Sequence, residues 1–388
     1  MLVLAGKNNI AVNALEFVIE NYDQEVAVVC NQTDNGKHGW QRSLRKTASD
    51  KGIAEISLEE AYKKAKVFIS LEFDKIVRPE KFKTSNVYNV HFSLLPKYKG
   101  MYTSIWPIIN NENVSGVTLH KIDKGIDTGN IIKQCEFNIS TFDRSQDLYR
   151  KYIKTSIEIF KKEFFSIMEG GLNSHQQQSN NSTYYSKSSL NFSNLNVDLN
   201  QTAFSIKRQV YAYSFRIYQL PKVLGRSIVE VDILDSRSCQ LPGKLIKQEE
   251  DFFELSTIDY DVRLYFDKID KIDKFSNCTI DEAERLLKNI CGVNDRNQYG
   301  WSPLIIAAFN GNYDVVKFLL KNGADINDTN YNGTSVLMYA KEHCLKVKDL
   351  ALFNFLIQSG ADVNHRDFNG KNLKDYLTIE ERIFLGLL

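Results

Sequence analysis

The sequence predicts an α/β domain, then a small β-rich domain, then an all-α tail of repeats. Three observations carry that prediction. Short apolar runs alternate with helical patterns through the first 140 residues. From Phe204 the pattern turns to short alternating strands, and two segments near the carboxyl terminus recur at a near-constant period. At roughly 100–200 residues per domain, a 388-residue chain accommodates a division into residues 1–190, 200–270 and 275–388.

Leu2–Ala5 reads as a strand running into the turn Gly6-Lys7-Asn8-Asn9. An amphipathic helix follows, with Ile10, Val12, Leu15, Phe17 and Ile19 on its apolar face. Glu25–Cys30, Lys66–Leu71 and Val87–His91 are further strands. This β-α-β alternation predicts a Rossmann-like parallel sheet with helices on both faces and ligands at the carboxyl ends of its strands. The first turn lacks G-x-G-x-x-G, which disfavours a nicotinamide enzyme. Residues 143–169 form a long helix, opened by Asp143 and closed by Gly170-Gly171. The polar run Asn173 to Ser182 suits a solvated connection. Strands then fall at Ile228–Ile233, Gly243–Ile246, Phe252–Thr257 and Val262–Phe266.

Composition narrows the function. Forty-nine Lys and Arg balance 48 Asp and Glu, a formal net charge of +1. A nucleic-acid partner would need a basic surface, and no global excess supplies one. No apolar run approaches the ~20 residues of a membrane span, and residues 1–30 lack a signal-peptide layout. A cytoplasmic protein with neither nucleic-acid nor membrane partner is expected. The six cysteines (30, 135, 239, 278, 291 and 344) are scattered, without C-x-x-C or a neighbouring His at zinc spacing. They read as buried thiols, and no metal is expected.

In the tail, Gly300-Trp301-Ser302-Pro303-Leu304 returns as Gly333-Thr334-Ser335-Val336-Leu337, 33 residues later. Asn322-Gly323-Ala324-Asp325-Ile326-Asn327 returns as Ser359-Gly360-Ala361-Asp362-Val363-Asn364 at a spacing of 37, so one repeat carries extra residues around Lys346–Asp349. This pattern resembles the ankyrin repeat, with capping units near Asp281–Asn294 and from Asn372.

The chemistry concentrates in Asn89-Val90-His91-Phe92-Ser93-Leu94-Leu95-Pro96 and in Asp123-Lys124-Gly125-Ile126-Asp127-Thr128-Gly129. Strand alternation puts Asn89 and His91 on one face, at the carboxyl end. An amide can stabilise an oxyanion, an imidazole can move a proton, and a carboxylate can hold the imidazole. Taken singly, each of the three has a blander reading: an interior histidine, a strand-end Asn, a turn Asp. Their order and spacing together resemble the folate-dependent formyltransferase family, over about residues 1–190. The resemblance implies a catalytic triad of Asn89, His91 and Asp127, with N10-formyltetrahydrofolate as formyl donor. Phe92 departs from the pattern, since many members carry a small residue there, and is expected to shape the folate side of the cleft.

A methionyl-tRNA enzyme would need a basic RNA-binding face, against which the near-zero charge speaks. Tyr98-Lys99-Gly100-Met101-Tyr102-Thr103-Ser104-Ile105-Trp106-Pro107, Ser70-Leu71-Glu72-Phe73-Asp74-Lys75 and Tyr213-Ser214-Phe215-Arg216-Ile217-Tyr218-Gln219-Leu220-Pro221 are similar instead to enzymes acting on dTDP-linked amino sugars. That similarity implies a pterin site at Leu71, Phe73, Asp123 and Gly125, a dTDP-sugar entering from the other side, and a homodimer formed through the β-rich domain. Lys75 is either a pyrophosphate contact or a solvated lysine. Asn9 either binds substrate or caps the first helix. Tyr102, Tyr218 and Gln219 are candidate sugar or phosphate contacts, with core packing the default for the aromatics. The combination with an ankyrin tail looks most like dTDP-3-amino-3,6-dideoxyglucose N-formyltransferases serving O-antigen or other surface polysaccharide. The 4-amino isomer is the alternative, and an ankyrin interaction protein on an inactive fold is a rival of another class. Tyr299, Trp301 and Tyr331 fall at equivalent loop positions and stand for packing, partner docking or an auxiliary nucleotide-sugar site.

Overall fold

The computed structural model describes residues 1–178, 180–289 and 292–387. Two compact units divide the chain, Met1–Leu195 with Tyr211–Gln219, and Asn196–Val210 with Leu220–Leu388. Cys291 lies outside the described residues. Of the other cysteines only Cys30 and Cys344 are buried, while Cys239 is exposed and Cys135 and Cys278 are partly so. The expectation of uniformly buried thiols is therefore corrected.

The first unit is built in chain order from β1 (Leu2–Gly6), α1 (Asn8–Asn21), β2 (Val26–Cys30), α2 (Leu44–Asp50), β3 (Ala54–Glu55), α3 (Leu58–Lys64), β4 (Val67–Leu71), β5 (Val87–His91), β6 (Lys99–Gly100), α4 (Trp106–Ile109), β7 (Val114–Lys121), β8 (Ile131–Asn138), α5 (Ser145–Glu169) and β9 (Tyr184–Tyr185). Seven strands make one sheet in the order β3-β2-β1-β4-β5-β7-β8. The pairings from β3 through β5 are parallel, and β5–β7 and β7–β8 are antiparallel. β1 and β4 are buried along their whole length, as central parallel strands covered on both faces must be. One face packs on α3, through Val3, Ala5, Phe68 and Val87. On the helical side, Phe17 of α1 meets Phe160 and Phe164 of α5 edge to face, with centroids 6.2 and 5.6 Å apart.

Gly6 ends β1 at a point where no side chain fits, since a Cβ there would lie 1.8 Å from the Leu71 carbonyl oxygen. α5 begins at Ser145 with Arg144 at its N-cap, and Asp147 accepts the Arg144 N–H at 3.1 Å. Asp143 therefore does not open the helix; it accepts the Ser140 N–H at 2.8 Å and pairs with Lys151. Gly170 closes α5 in the left-handed region at φ 76°.

The chain continues through α6 (Ala203–Tyr213) into β10 (Lys222–Val223), β11 (Arg226–Arg237), β12 (Leu245–Gln248), β13 (Phe252–Leu255) and β14 (Tyr260–Phe266), an antiparallel sheet ordered β10-β11-β14-β13-β12. Helices follow as α7 (Ile280–Asn289), α8 (Pro303–Phe309), α9 (Tyr313–Lys321), α10 (Val336–Val347), α11 (Ala351–Gln358) and α12 (Ile379–Phe384). The recurring serine caps a helix in two of the repeats: Ser302 accepts from the Ile305 N–H and Ser335 from the Met338 N–H. A recurring asparagine ties successive repeats. Asn294 spans Gly323 and Asp325, and Asn327 spans Gly360 and Asp362. The extra residues lengthen α10, which closes on Lys348 in the left-handed region.

Candidate active site

β5 delivers Asn89 and His91 to the carboxyl end of the sheet, and antiparallel β7 sets His120 opposite Asn89. The loop between β7 and β8 returns Asp127 against all three. Asn89 Nδ2 lies 3.1 Å from His120 Nε2 and donates to Asp127 Oδ1 at 3.3 Å. Asp127 Oδ2 faces His91 Nδ1 at 3.5 Å and accepts the Gly100 N–H at 2.9 Å. The expected triad therefore converges, with His120 as a fourth member that motif reading missed. No spacing in the sequence marks it; the register of β7 against β5 sets it across from Asn89.

Hydrogen-bond partners assign the tautomers. His91 Nε2 meets the Tyr98 carbonyl at 2.9 Å, and His120 Nδ1 meets the Lys121 carbonyl at 2.8 Å. A carbonyl only accepts, so both of those nitrogens carry protons. In the neutral rings that leaves His120 Nε2 to accept from Asn89 and His91 Nδ1 to accept a proton; once protonated, each ring faces the Asp127 carboxylate, at 3.5 Å from His91 Nδ1 and 3.6 Å from His120 Nε2. Burial alone would raise the Asp127 carboxyl. The His91 and His120 imidazoles and the Gly100 N–H overcome it and hold the group well below the usual carboxylate range.

The loop that carries Asp127 is built tightly. Thr128 Oγ1 donates to Asp123 Oδ1 at 2.6 Å, and the Gly125 N–H reaches the same oxygen at 3.1 Å. A Cβ on Gly129 would lie 1.8 Å from the Lys121 carbonyl oxygen. Gln177 then donates to the carbonyls of Asp127 and Gly129, both at 2.8 Å. His175 bridges to Ile131, and Thr183 Oγ1 accepts the Tyr98 N–H at 2.7 Å. The polar run is largely exposed, as a solvated connection is, and it also ties down the site loop through Gln177 and β8 through His175.

The remaining expected residues scatter. Leu71 is buried, and its carbonyl accepts the Lys7 N–H at 3.3 Å. Phe73 packs on Phe68, with centroids 6.4 Å apart. Asp123 borders a cleft of about 540 Å³ that also holds Lys83, Lys121 and Lys124, and Gly125 donates its N–H to the Asp123 carboxylate at 3.1 Å. Asn9 neither caps α1 nor points into open space; it holds the neighbouring loop, accepting the Arg42 N–H at 3.0 Å. Lys75 is exposed, and Tyr102 meets Phe192 edge to face at 4.8 Å. Tyr218 is 62% exposed beside Trp40, whereas Gln219 turns back toward the Tyr213 carbonyl at 3.4 Å. Phe92, next to His91, is buried and stacks on Tyr152 of α5 with centroids 5.3 Å apart. In the tail, Tyr299 is exposed, and Trp301 packs among Phe309 and Tyr339 of the repeats at 6.0 and 5.6 Å. The Tyr331 backbone lies against Gly300.

Among the described residues no group of His, Cys, Asp and Glu is placed to hold a metal ion, and no helix is long and apolar enough to cross a membrane.

An amide donor, two imidazoles and an ionised carboxylate gathered at one end of the sheet form a set that can support acyl transfer without a covalent nucleophile. Comparison with known proteins agrees. Residues 8–162 match the formyl transferase model, and residues 275–367 match three copies of the ankyrin-repeat model. An N-formyltransferase from Helicobacter canadensis, solved with folinic acid and dTDP-3-aminofucose, is 41% identical with a TM-score of 0.63, over 68% of this chain and 98% of that one. WlaRD, a sugar 3N-formyltransferase solved with dTDP and 5-N-formyl-tetrahydrofolate, is 40% identical with a TM-score of 0.63, over 68% and 97%. The methionyl-tRNA formyltransferase of Clostridioides difficile is 28% identical over 277 residues, covering 66% of this chain and 88% of that protein. The chain belongs to the formyltransferase family and carries ankyrin repeats as an addition to it.

Proposed function

We propose that the protein transfers the formyl group of N10-formyltetrahydrofolate to the 3-amino group of a dTDP-linked 3-amino-3,6-dideoxyhexose, with dTDP-3-amino-3,6-dideoxyglucose as the acceptor. The observation that carries this reading is the convergence of Asn89, His91, His120 and Asp127 on one strand end. The choice of a 3-amino sugar is supported by the two solved relatives at 40–41% identity, whose own ligand or activity is of that kind. The lysines of the cleft beside Asp123 fit the carboxylates of a folate tail.

In this mechanism Asn89 turns an amide N–H to the oxyanion that develops as the amine adds to the formyl carbon, a contribution of about 3–4 kcal/mol in comparable sites. His91 Nδ1 takes the proton that the amine loses. Asp127 holds the imidazolium so formed. His91 then returns the proton to the departing folate nitrogen as its bond to the formyl carbon breaks, and the site is restored.

The product, an N-formylated sugar nucleotide, would supply surface polysaccharide such as O-antigen from the cytoplasm. We also assign a homodimer to the β-rich sheet, where β12 lies at the edge and leaves Leu245 and Ile246 exposed.

The test is product mass. Purified protein with N10-formyltetrahydrofolate receives the dTDP-3-amino sugar and, in parallel, its 4-amino isomer. A formyl gain on the 3-amino sugar alone is expected. Gain on the 4-amino sugar alone overturns the regiochemistry, and gain on neither overturns the acceptor class.

A further inference from the structure

A second polar cluster stands at the carboxyl ends of β1 and β4. The sheet changes direction there: β2 and β3 lie on one side of β1, and β4 and β5 on the other. Open α/β sheets take their ligands in the crevice at such a reversal. Asn8 and Glu72 face each other over it, both in the left-handed region at φ 65° and 57°. Asn enters that region readily, whereas a glutamate is strained there, and strain of this kind gathers where a fold performs work on a ligand.

The two residues are joined through their side chains. Asn8 Nδ2 donates to Glu72 Oε2 at 3.3 Å and to Tyr149 Oη at 2.9 Å. Tyr149 Oη in turn donates to the Glu72 carboxyl at 2.8 Å. One residue earlier, Leu71 pairs with Val90, so Glu72 and His91 are the next positions along neighbouring strands. The carboxyl thus leaves the sheet one strand away from the triad.

An aromatic wall rises beside it. Trp40 lies 5.6 Å from both Tyr149 and Tyr218 and 5.5 Å from Phe215, centroid to centroid. Tyr218 opens to solvent. A carboxyl at the foot of aromatic rings suits a hexose, whose C–H face packs on the rings while a hydroxyl reaches the carboxyl.

We propose that Glu72 is a specificity residue for the acceptor: its carboxyl, held by Tyr149 and Asn8, takes a ring hydroxyl neighbouring the reacting amine and so selects the configuration of the hexose. This rests on the amino-sugar reading above. Burial pushes the Glu72 carboxyl up to about 7, against the opposing pull of Tyr149, Lys7 and Asn8. Tyr218 is the other titratable group that faces it. As pH falls through that value the carboxylate gains a proton and loses acceptor capacity, so KM for the sugar rises on the acid side.

The experiment is steady-state kinetics on the full chain, with N10-formyltetrahydrofolate saturating and dTDP-3-amino-3,6-dideoxyglucose or dTDP-3-aminofucose varied across pH. Glu72→Gln keeps the shape of the side chain and removes its charge. It is expected to raise KM for the preferred sugar about tenfold or more, to narrow the preference between the two sugars, and to hold kcat within about threefold. The acid rise in KM disappears in the same variant. Tyr149→Phe releases the carboxyl without replacing it and moves KM in the same direction, which keeps the test intact if Glu72→Gln folds poorly. Unchanged KM, preference and pH profile in a variant that melts like wild type overturns the assignment. A wild type that formylates neither sugar overturns the acceptor reading and takes this inference with it, whereas an active wild type matched by Glu72→Gln removes this inference alone.

Discussion

Replacing Asp127 by Asn isolates what its charge does. The backbone there is left-handed at φ 54°, a conformation that Asn tolerates far better than Ala, so the loop keeps its path. Asp127 serves two donors on different oxygens, Gly100 N–H at 2.9 Å and Asn89 Nδ2 at 3.3 Å. An amide has one acceptor oxygen. Whichever donor loses its partner then faces an NH₂ group, at a cost of about 1–3 kcal/mol in stability. The charge term is separate. An imidazolium nitrogen 3.5 Å from the carboxylate is stabilised by about 5 kcal/mol at an effective dielectric of ~20, and that is a ceiling because water and nearby dipoles replace part of it. Turnover is therefore expected to fall about 10²–10³-fold, each factor of ten being ~1.4 kcal/mol. Because the His91 and His120 imidazoles hold Asp127 ionised against the effect of burial, the wild-type profile contains no Asp127 limb in the ordinary assay range. Product mass against time measures turnover, and thermal melting reads the structural part. A kcat within about fivefold of wild type, with the melting loss present, would refute the claim that this carboxylate holds a charge on His91.

Two further outcomes test the frame and the tail. Gly6→Ala places a Cβ 1.8 Å from the Leu71 carbonyl oxygen, so β1 and β4 must part; a loss above about 3 kcal/mol is expected, read as failure to recover folded protein by circular dichroism. Trp301→Ala removes a half-buried ring packed on Phe309 and Tyr339 and should cost about 1–3 kcal/mol in the melting of the repeats, with the sugar saturation curve unchanged. An altered saturation curve with intact melting would instead support a nucleotide-sugar site around Tyr299, Trp301 and Tyr331.

Much of the fold was legible because its physics is local. A short continuous apolar run such as Leu2–Ala5, bounded by turn residues, fits a buried strand, and the 33-residue return of Gly300 and Gly333 states the repeat outright. Boundaries followed less well. Asp143 looked like the cap of α5, yet it pairs with Lys151 two turns into the same helix, and Asp147 served the helix end instead. The triad was visible for the same local reason: alternation puts Asn89 and His91 on one face, and Asp127 sits in a turn that needs Gly129. His120 was not visible, because its role depends on the register of β7 against β5, which no spacing in the sequence reveals.

The polar run from Asn173 shows why the rest stayed hidden. Its composition is that of a solvated linker, and composition records only what a segment can do without partners. Here the partners are distant. Gln177 spends both amide protons on the carbonyls of Asp127 and Gly129, His175 closes on Ile131, and Thr183 leads into β9. β9 pairs with β6, and β6 holds the Gly100 N–H that reaches Asp127. A Cβ on Gly100 would lie 2.1 Å from the Tyr185 carbonyl oxygen, so that last step depends on a glycine at the crossing. The carboxylate is therefore fixed from two directions, by the polar run and by β6. The left-handed Asp127 backbone persists because both hold it there. A segment that a sequence reading assigns to solvent is what keeps the acid of the triad in position.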